Sequence, residues 1–151
     1  MMKKLIIGLF ALLPSLTMAA GPSVPLLEAN HDLTDKASLQ RGAKTFMNYC
    51  LGCHQMQYQR YERTFRDIGI PTKVGEEQLI FDGSKVGSHI LNAIEQDDAA
   101  KWFGAAPPDL TLVARVRGAD WIYTYLKSFY VDESRPFGVN NTVFPSVGMP
   151  H

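Results

Sequence analysis

Apolar residues recur at helical spacing in three places along the chain. Behind Thr34 and Asp35, either of which can cap a helix, Leu39, Ala43, Phe46 and Cys50 follow at intervals of four, three and four and predict one amphipathic helix. Gly42 sits beside that face, either admitting a crossing helix or as a tolerated helix glycine. A second helix is expected to carry Tyr58, Tyr61, Phe65 and Ile68 on one face, with Gly69 and Pro71 stopping it and its arginines on a solvated or partner-facing side. A third is expected to begin at Asp120 as its cap, with Trp121, Ile122, Tyr125, Leu126 and Phe129 inward.

The stretches between these helices read differently. Residues 75–87 are rich in turn signals, residues 88–94 predict a short helix, and Asp97-Asp98 opens a turn toward Trp102 and Phe103. Pro107 and Pro108 each restrain the residue before them as well as themselves, so residues 105–110 are expected to be extended and stiff. From residue 131 onward Pro136, Gly138, Asn140-Asn141, Pro145, Gly148 and Pro150 predict loops. Nothing demands a β-sheet, and the fold class expected is mostly α with long loops.

The amino-terminal end changes the compartment. Lys3 and Lys4 precede an apolar run over residues 5–13 and a small-residue site at Thr17-Met18-Ala19-Ala20, which predicts a secretory signal peptide over residues 1–20 and a single domain over 21–151. The run is short for a membrane span, which weighs against an uncleaved anchor. With 15 basic and 15 acidic side chains the chain has no electrostatic footprint for nucleic acid or for a polybasic membrane patch.

In an exported chain cysteines normally pair, yet Cys50 and Cys53 are the only two. They stand three apart with His54 directly after the second, the spacing that attaches a c-type haem: two thiols for the two vinyl groups of one porphyrin edge, and an imidazole for the iron. A zinc site would need two further ligands, but His31, His89 and His151 are scattered, and a thioredoxin-like pair would need a βαβ context. One covalently attached haem c is therefore expected.

The second axial ligand decides what such an iron does, since an open position binds small molecules and a thioether favours electron transfer. Met56 is two residues from His54, a reach of about 7 Å, too short to pass to the opposite face. Met47 lies one helical turn before Cys50, on the attachment side. Met149, in a downstream loop rich in glycine and proline, is the expected ligand, with His151 and His89 as competitors. The carbonyl of Pro107 or Pro108 is expected to accept from the second ring nitrogen of His54, and Arg115 or Arg117 to neutralise a haem propionate.

The run 41–54, the segment Trp102-Phe103-Gly104-Ala105-Ala106-Pro107-Pro108-Asp109-Leu110, the segment Arg115-Val116-Arg117-Gly118-Ala119-Asp120-Trp121 and Gly148-Met149-Pro150 together resemble the bacterial cytochrome c1 family. The resemblance covers essentially all of residues 21–151. It implies a cytochrome c-like haem domain with His54 and Met149 on the iron and Pro107, Pro108 and Arg115 near the haem. It also implies one-electron transfer from a Rieske iron-sulfur protein to a cytochrome c, beside a cytochrome b subunit, at the periplasmic face of the bacterial inner membrane. No substrate chemistry of its own is expected, because quinol oxidation would belong to the cytochrome b subunit. In that family the chain continues past the methionine into a membrane anchor, whereas here it stops two residues after Met149, so a domain incomplete at its C-terminus is expected. The rival readings are a diffusible periplasmic cytochrome c, which would be soluble without membrane partners, and a haem peroxidase, which would bind carbon monoxide or peroxide rapidly.

Overall fold

The computed structural model describes residues 24–150. The expected signal peptide and His151 lie outside the described residues. Six α-helices and two short antiparallel ladders make up the described fold, which is mostly helical as the sequence predicts.

Helix α1 spans Lys36–Thr45, and its cap is Asp35, whose carboxylate accepts from Ser38 N at 2.9 Å. The helix does not run straight on to Cys50. It widens into a π turn over Phe46–Cys50, closed by Leu51 N donating to Phe46 O at 2.9 Å, a device frequent at functional sites. The widening buries Met47, while Leu39, Ala43, Phe46 and Cys50 are half-buried. Gly42 looks onto open space, with no close helix crossing among the described residues.

Strand β1 (Met56–Arg60) follows, then α2 (Tyr61–Ile68), closed by Gly69 at φ 74°. The second helix thus starts later than its apolar spacing predicts, and Tyr58 is a strand residue left 72 % exposed. Distant residues hold this stretch extended: Met56 pairs with Ile90 and Arg60 with His89 of β2 (His89–Ile90), while the Asp109 carboxylate accepts from Gln57 N and the Thr111 hydroxyl from Tyr58 N. The helix expected over residues 88–94 is likewise replaced by that strand, and His89 is exposed on it.

Helix α3 (Thr72–Leu79) runs into the stretch that reads as turns and occupies its first five residues. Gly75 is buried at its crossing with α2, where a Cβ would overlap the Phe65 ring, so the glycine serves close packing rather than a turn. Met47, Tyr61, Phe65, Leu79 and Ile90 form the core, with Phe46, Leu51, Met56, Ile70, Ile80 and Val86 around it.

Helix α4 (Gln96–Phe103) ends at Gly104, φ 80°, and α5 (Val113–Arg117) leads through Gly118 into α6 (Ala119–Lys127). Gly118, not Asp120, is the N-cap of α6. Asp120 sits inside the first turn and accepts from Ala29 N at 2.8 Å, strapping the N-terminal segment across the helix, while Leu27 N donates to the buried Thr124 hydroxyl at 2.8 Å. Leu126, expected inward, is 53 % exposed. Strands β3 (Phe129–Val131) and β4 (Val139–Asn141) pair Phe129 with Asn141 and Val131 with Val139, so a hairpin stands where loop was expected.

Candidate functional site

Cys50, Cys53 and His54 share one turn. His54 N donates to Cys50 O at 2.8 Å and Cys53 N to the same oxygen at 3.1 Å, which folds the motif back on the end of the π turn. Both thiols are free, Cys50 half-buried and Cys53 exposed. Burial, aided by the neighbouring Cys53, pushes the Cys50 thiol above its ordinary value, so it stays protonated.

The imidazole is oriented from outside the motif, because His54 Nδ1 lies 2.9 Å from Pro108 O. A carbonyl can only accept, so Nδ1 carries the proton and the lone pair stands on Nε2, the arrangement in which a histidine ligates a metal. Of the two prolines proposed as acceptor, Pro108 occupies that position. Its segment is fastened along the strand that follows the motif. Leu110 N donates to Gln55 O at 2.9 Å, and the Asp109 carboxylate accepts from Gln57 N at 2.7 Å and Thr111 N at 2.9 Å. Burial raises the Asp109 carboxyl, but these hydrogen bonds outweigh it and hold the group below the usual carboxylate range. An ionised Asp109 therefore clamps the Pro108 carbonyl against the ring it orients.

Met149 belongs to a second cluster, where the Tyr125 hydroxyl donates to its sulfur at 3.3 Å. The Tyr125 ring stacks on Trp121 with centroids 5.2 Å apart and meets Phe129 edge-on at 5.3 Å, and Arg117 covers Trp121 at 5.0 Å. The arm that ends in Met149 hangs from two asparagines. Asn141, 1 % exposed, donates to Tyr125 O at 2.7 Å and accepts from Val143 N at 2.9 Å and Phe144 N at 3.1 Å. Asn140 accepts from Ser146 N at 2.9 Å and donates to Asp132 at 2.9 Å. Arg135 Nη2 adds a bond to Ser146 O at 2.9 Å, and Gly148 passes so close to α4 that a Cβ would stand 3.0 Å from Phe103 O.

Sequence reasoning reads Asn140-Asn141 only as a turn signal and misses this role, and the run Val139-Asn140-Asn141-Thr142-Val143 carries no apolar alternation that would have revealed it. Arg115 is exposed on α5, and its side chain makes no hydrogen bond or ion pair among the described residues, whereas its alternative Arg117 covers Trp121. Pro107 is half-buried beside Pro108. Met47 and Met56 belong to the core around α2, on the attachment side. A crevice of about 240 Å³ between Trp102–Phe103 and Arg135–Phe137 lies behind the methionine arm, below the 300 Å³ or so of a typical small-molecule pocket.

The donor set fits a c-type haem. Two unpaired thiols share one turn with an imidazole whose Nδ1 is anchored, which leaves Nε2 for iron, and a thioether is held in place by a hydroxyl.

Comparison with known proteins bears on the same stretches. The model of the Cytochrome C1 family matches residues 28–147. Cytochrome c1 of Allochromatium vinosum is 57 % identical over 151 residues, covering 99 % of this chain and 62 % of that protein. A Nitrosomonas europaea protein named ammonia monooxygenase gamma subunit is 44 % identical over 151 residues, covering 100 % of this chain and 64 % of its own length. The Candida albicans cytochrome b-c1 complex catalytic subunit is 29 % identical over 126 residues, 70 % of this chain and 42 % of its own. The chain thus spans a little under two thirds of the first two relatives.

Proposed function

The chain belongs to the cytochrome c1 family, and from that premise we propose that it is the haem-bearing, electron-transferring subunit of a quinol-cytochrome c oxidoreductase. In this reading one haem c is attached through Cys50 and Cys53. Cys50 and Cys53 would hold it by thioether bonds, each thiol S–H adding across a vinyl C=C with its hydrogen going to the neighbouring carbon. His54 and Met149 would hold the iron, Pro107 and Pro108 would stand beside His54, and Arg115, whose guanidinium makes no hydrogen bond or ion pair among the described residues, would pair with a propionate. The first 20 residues direct export, and residues 21–151 form the haem domain at the periplasmic face of the inner membrane. No helix of the described residues is long and apolar enough to cross a membrane.

The observation that carries this reading is the His54 Nδ1 to Pro108 O contact of 2.9 Å, which pairs the motif with the proline segment 54 residues downstream. A bound haem supplies a one-electron couple. The residues do the rest: His54 is held in one tautomer, Asp109 keeps the Pro108 carbonyl in register, and the Met149 thioether, held by the Tyr125 hydroxyl, would favour the ferrous state over small-ligand chemistry. Electrons then arrive from a Rieske iron-sulfur protein, beside a cytochrome b subunit, and leave to a cytochrome c.

Stopped-flow mixing with a reduced Rieske fragment and with an oxidised soluble cytochrome c tests the reading. Rapid reduction by the first and rapid oxidation by the second are expected, with no carbon monoxide adduct on the reduced protein. Rapid carbon monoxide binding, with no exchange with either protein, would replace it with an open-site haem enzyme.

A further inference from the structure

Tyr125 is placed more firmly than a core aromatic needs to be. Its ring lies between Trp121, parallel within 7° at 5.2 Å, and the edge of Phe129 at 5.3 Å, and its own carbonyl is held by the fully buried Asn141 at 2.7 Å. Asn141 simultaneously binds Val143 N and Phe144 N, at the root of the arm that carries Met149. One amide therefore fixes both partners of the 3.3 Å contact between the Tyr125 hydroxyl and the Met149 sulfur.

We propose that Tyr125 is a positioning and tuning residue for Met149, its hydroxyl occupying one sulfur lone pair, presenting the other to the iron and weakening the sulfur as a donor. The inference rests on the reading of Met149 as an axial ligand. The sign follows from the chemistry. Ferric iron depends on sulfur donation more than ferrous iron does, so drawing density off the sulfur favours the reduced state. Removing the hydroxyl should lower the potential while leaving the ring packing intact. A net hydrogen bond of ordinary strength corresponds to a change of about three- to tenfold in the ferrous-to-ferric ratio at fixed potential. For one electron that is a fall of about 30 to 60 mV, at about 59 mV per tenfold.

The test uses the full chain with haem attached, as wild type, Tyr125→Phe and Met149→Leu, followed by equilibrium redox titration and by the far-red charge-transfer band of a thioether-ligated ferric haem. The expected result is a band in the wild type and in Tyr125→Phe, no band in Met149→Leu, and a lower midpoint for Tyr125→Phe. A Tyr125→Phe protein that keeps the band and titrates at or above the wild-type midpoint overturns the proposal and leaves the ligand in place. A band missing from the wild type, or surviving in Met149→Leu, overturns the ligand reading and the proposal with it. Should Tyr125→Phe fail to retain haem, site-specific Tyr125→3-fluorotyrosine, a stronger donor of nearly the same shape, decides: a raised midpoint supports the role and an unmoved one refutes it.

Discussion

On the attachment side, Cys50, Cys53 and His54 stand on backbone hydrogen bonds and on an apolar core, whereas Met149 hangs from side-chain amides. The first region is anchored by Met47, Tyr61, Phe65 and Ile90, and a long-range polar tie to His54 comes from a main-chain carbonyl. The second depends on Asn141, Asn140 and Arg135 meeting backbone groups of the loop and of α6, with Val147 its buried apolar residue. The contrast teaches a division of labour. A covalent anchor needs a rigid, sequence-local platform, while a distant ligand must be carried back to the site by a loop, and a loop is held by satisfying its backbone polar groups.

The largest blow to the methionine side is expected from Asn141→Ala. It leaves the part-buried Tyr125 O, Val143 N and Phe144 N without the amide that serves all three, costing about 2 kcal/mol, and it should abolish the thioether band before any covalent haem is lost. Denaturant melts read together with the far-red spectrum check it, and loss of stability with an unchanged band would erase the distinction between the regions. On the other side, Gly75→Ala forces a methyl group into the Phe65 ring. It should cost about 2 kcal/mol of global stability while the thioether band stays as in wild type.

A smaller effect, about 1 kcal/mol, is expected of Asp109→Asn, which keeps one acceptor but loses the charge that strengthens the clamp on Gln57 N and Thr111 N. The folded carboxyl lies below its ordinary value of 3.8, so its contribution is complete above that value and lost as pH falls through the depressed folded one. Acid titration of stability should therefore lose part of its slope in the variant, and an identical slope would remove Asp109 from the clamp. Smallest of all, Arg63→Ala breaks an ion pair with Asp67 whose side chains are 61 % and 45 % exposed, and should change stability by about 0.3 kcal/mol.

What could be read in advance follows the same boundary. The Asp35 cap and the Tyr61/Phe65 face are local patterns, and they form as their spacing predicts. The strand Met56–Arg60 was not legible, because the groups that hold it extended come from residues 109–111 and from His89–Ile90. Helix Thr72–Leu79 was hidden by Gly75, since a glycine chosen for close packing is indistinguishable in sequence from one chosen for a turn. Asn140 and Asn141 were hidden for a parallel reason: the side chain that makes asparagine a turn former also lets it satisfy a buried loop. Nothing in Phe46–Cys50 marks the π turn that rotates Met47 into the core.

The most direct test of the whole account is the intact mass of the chain, purified under denaturing conditions from a host competent in cytochrome c maturation. The account predicts the processed polypeptide plus one haem, reduced to the bare polypeptide in the Cys50→Ser, Cys53→Ser double variant. A wild-type mass equal to the bare polypeptide would contradict it.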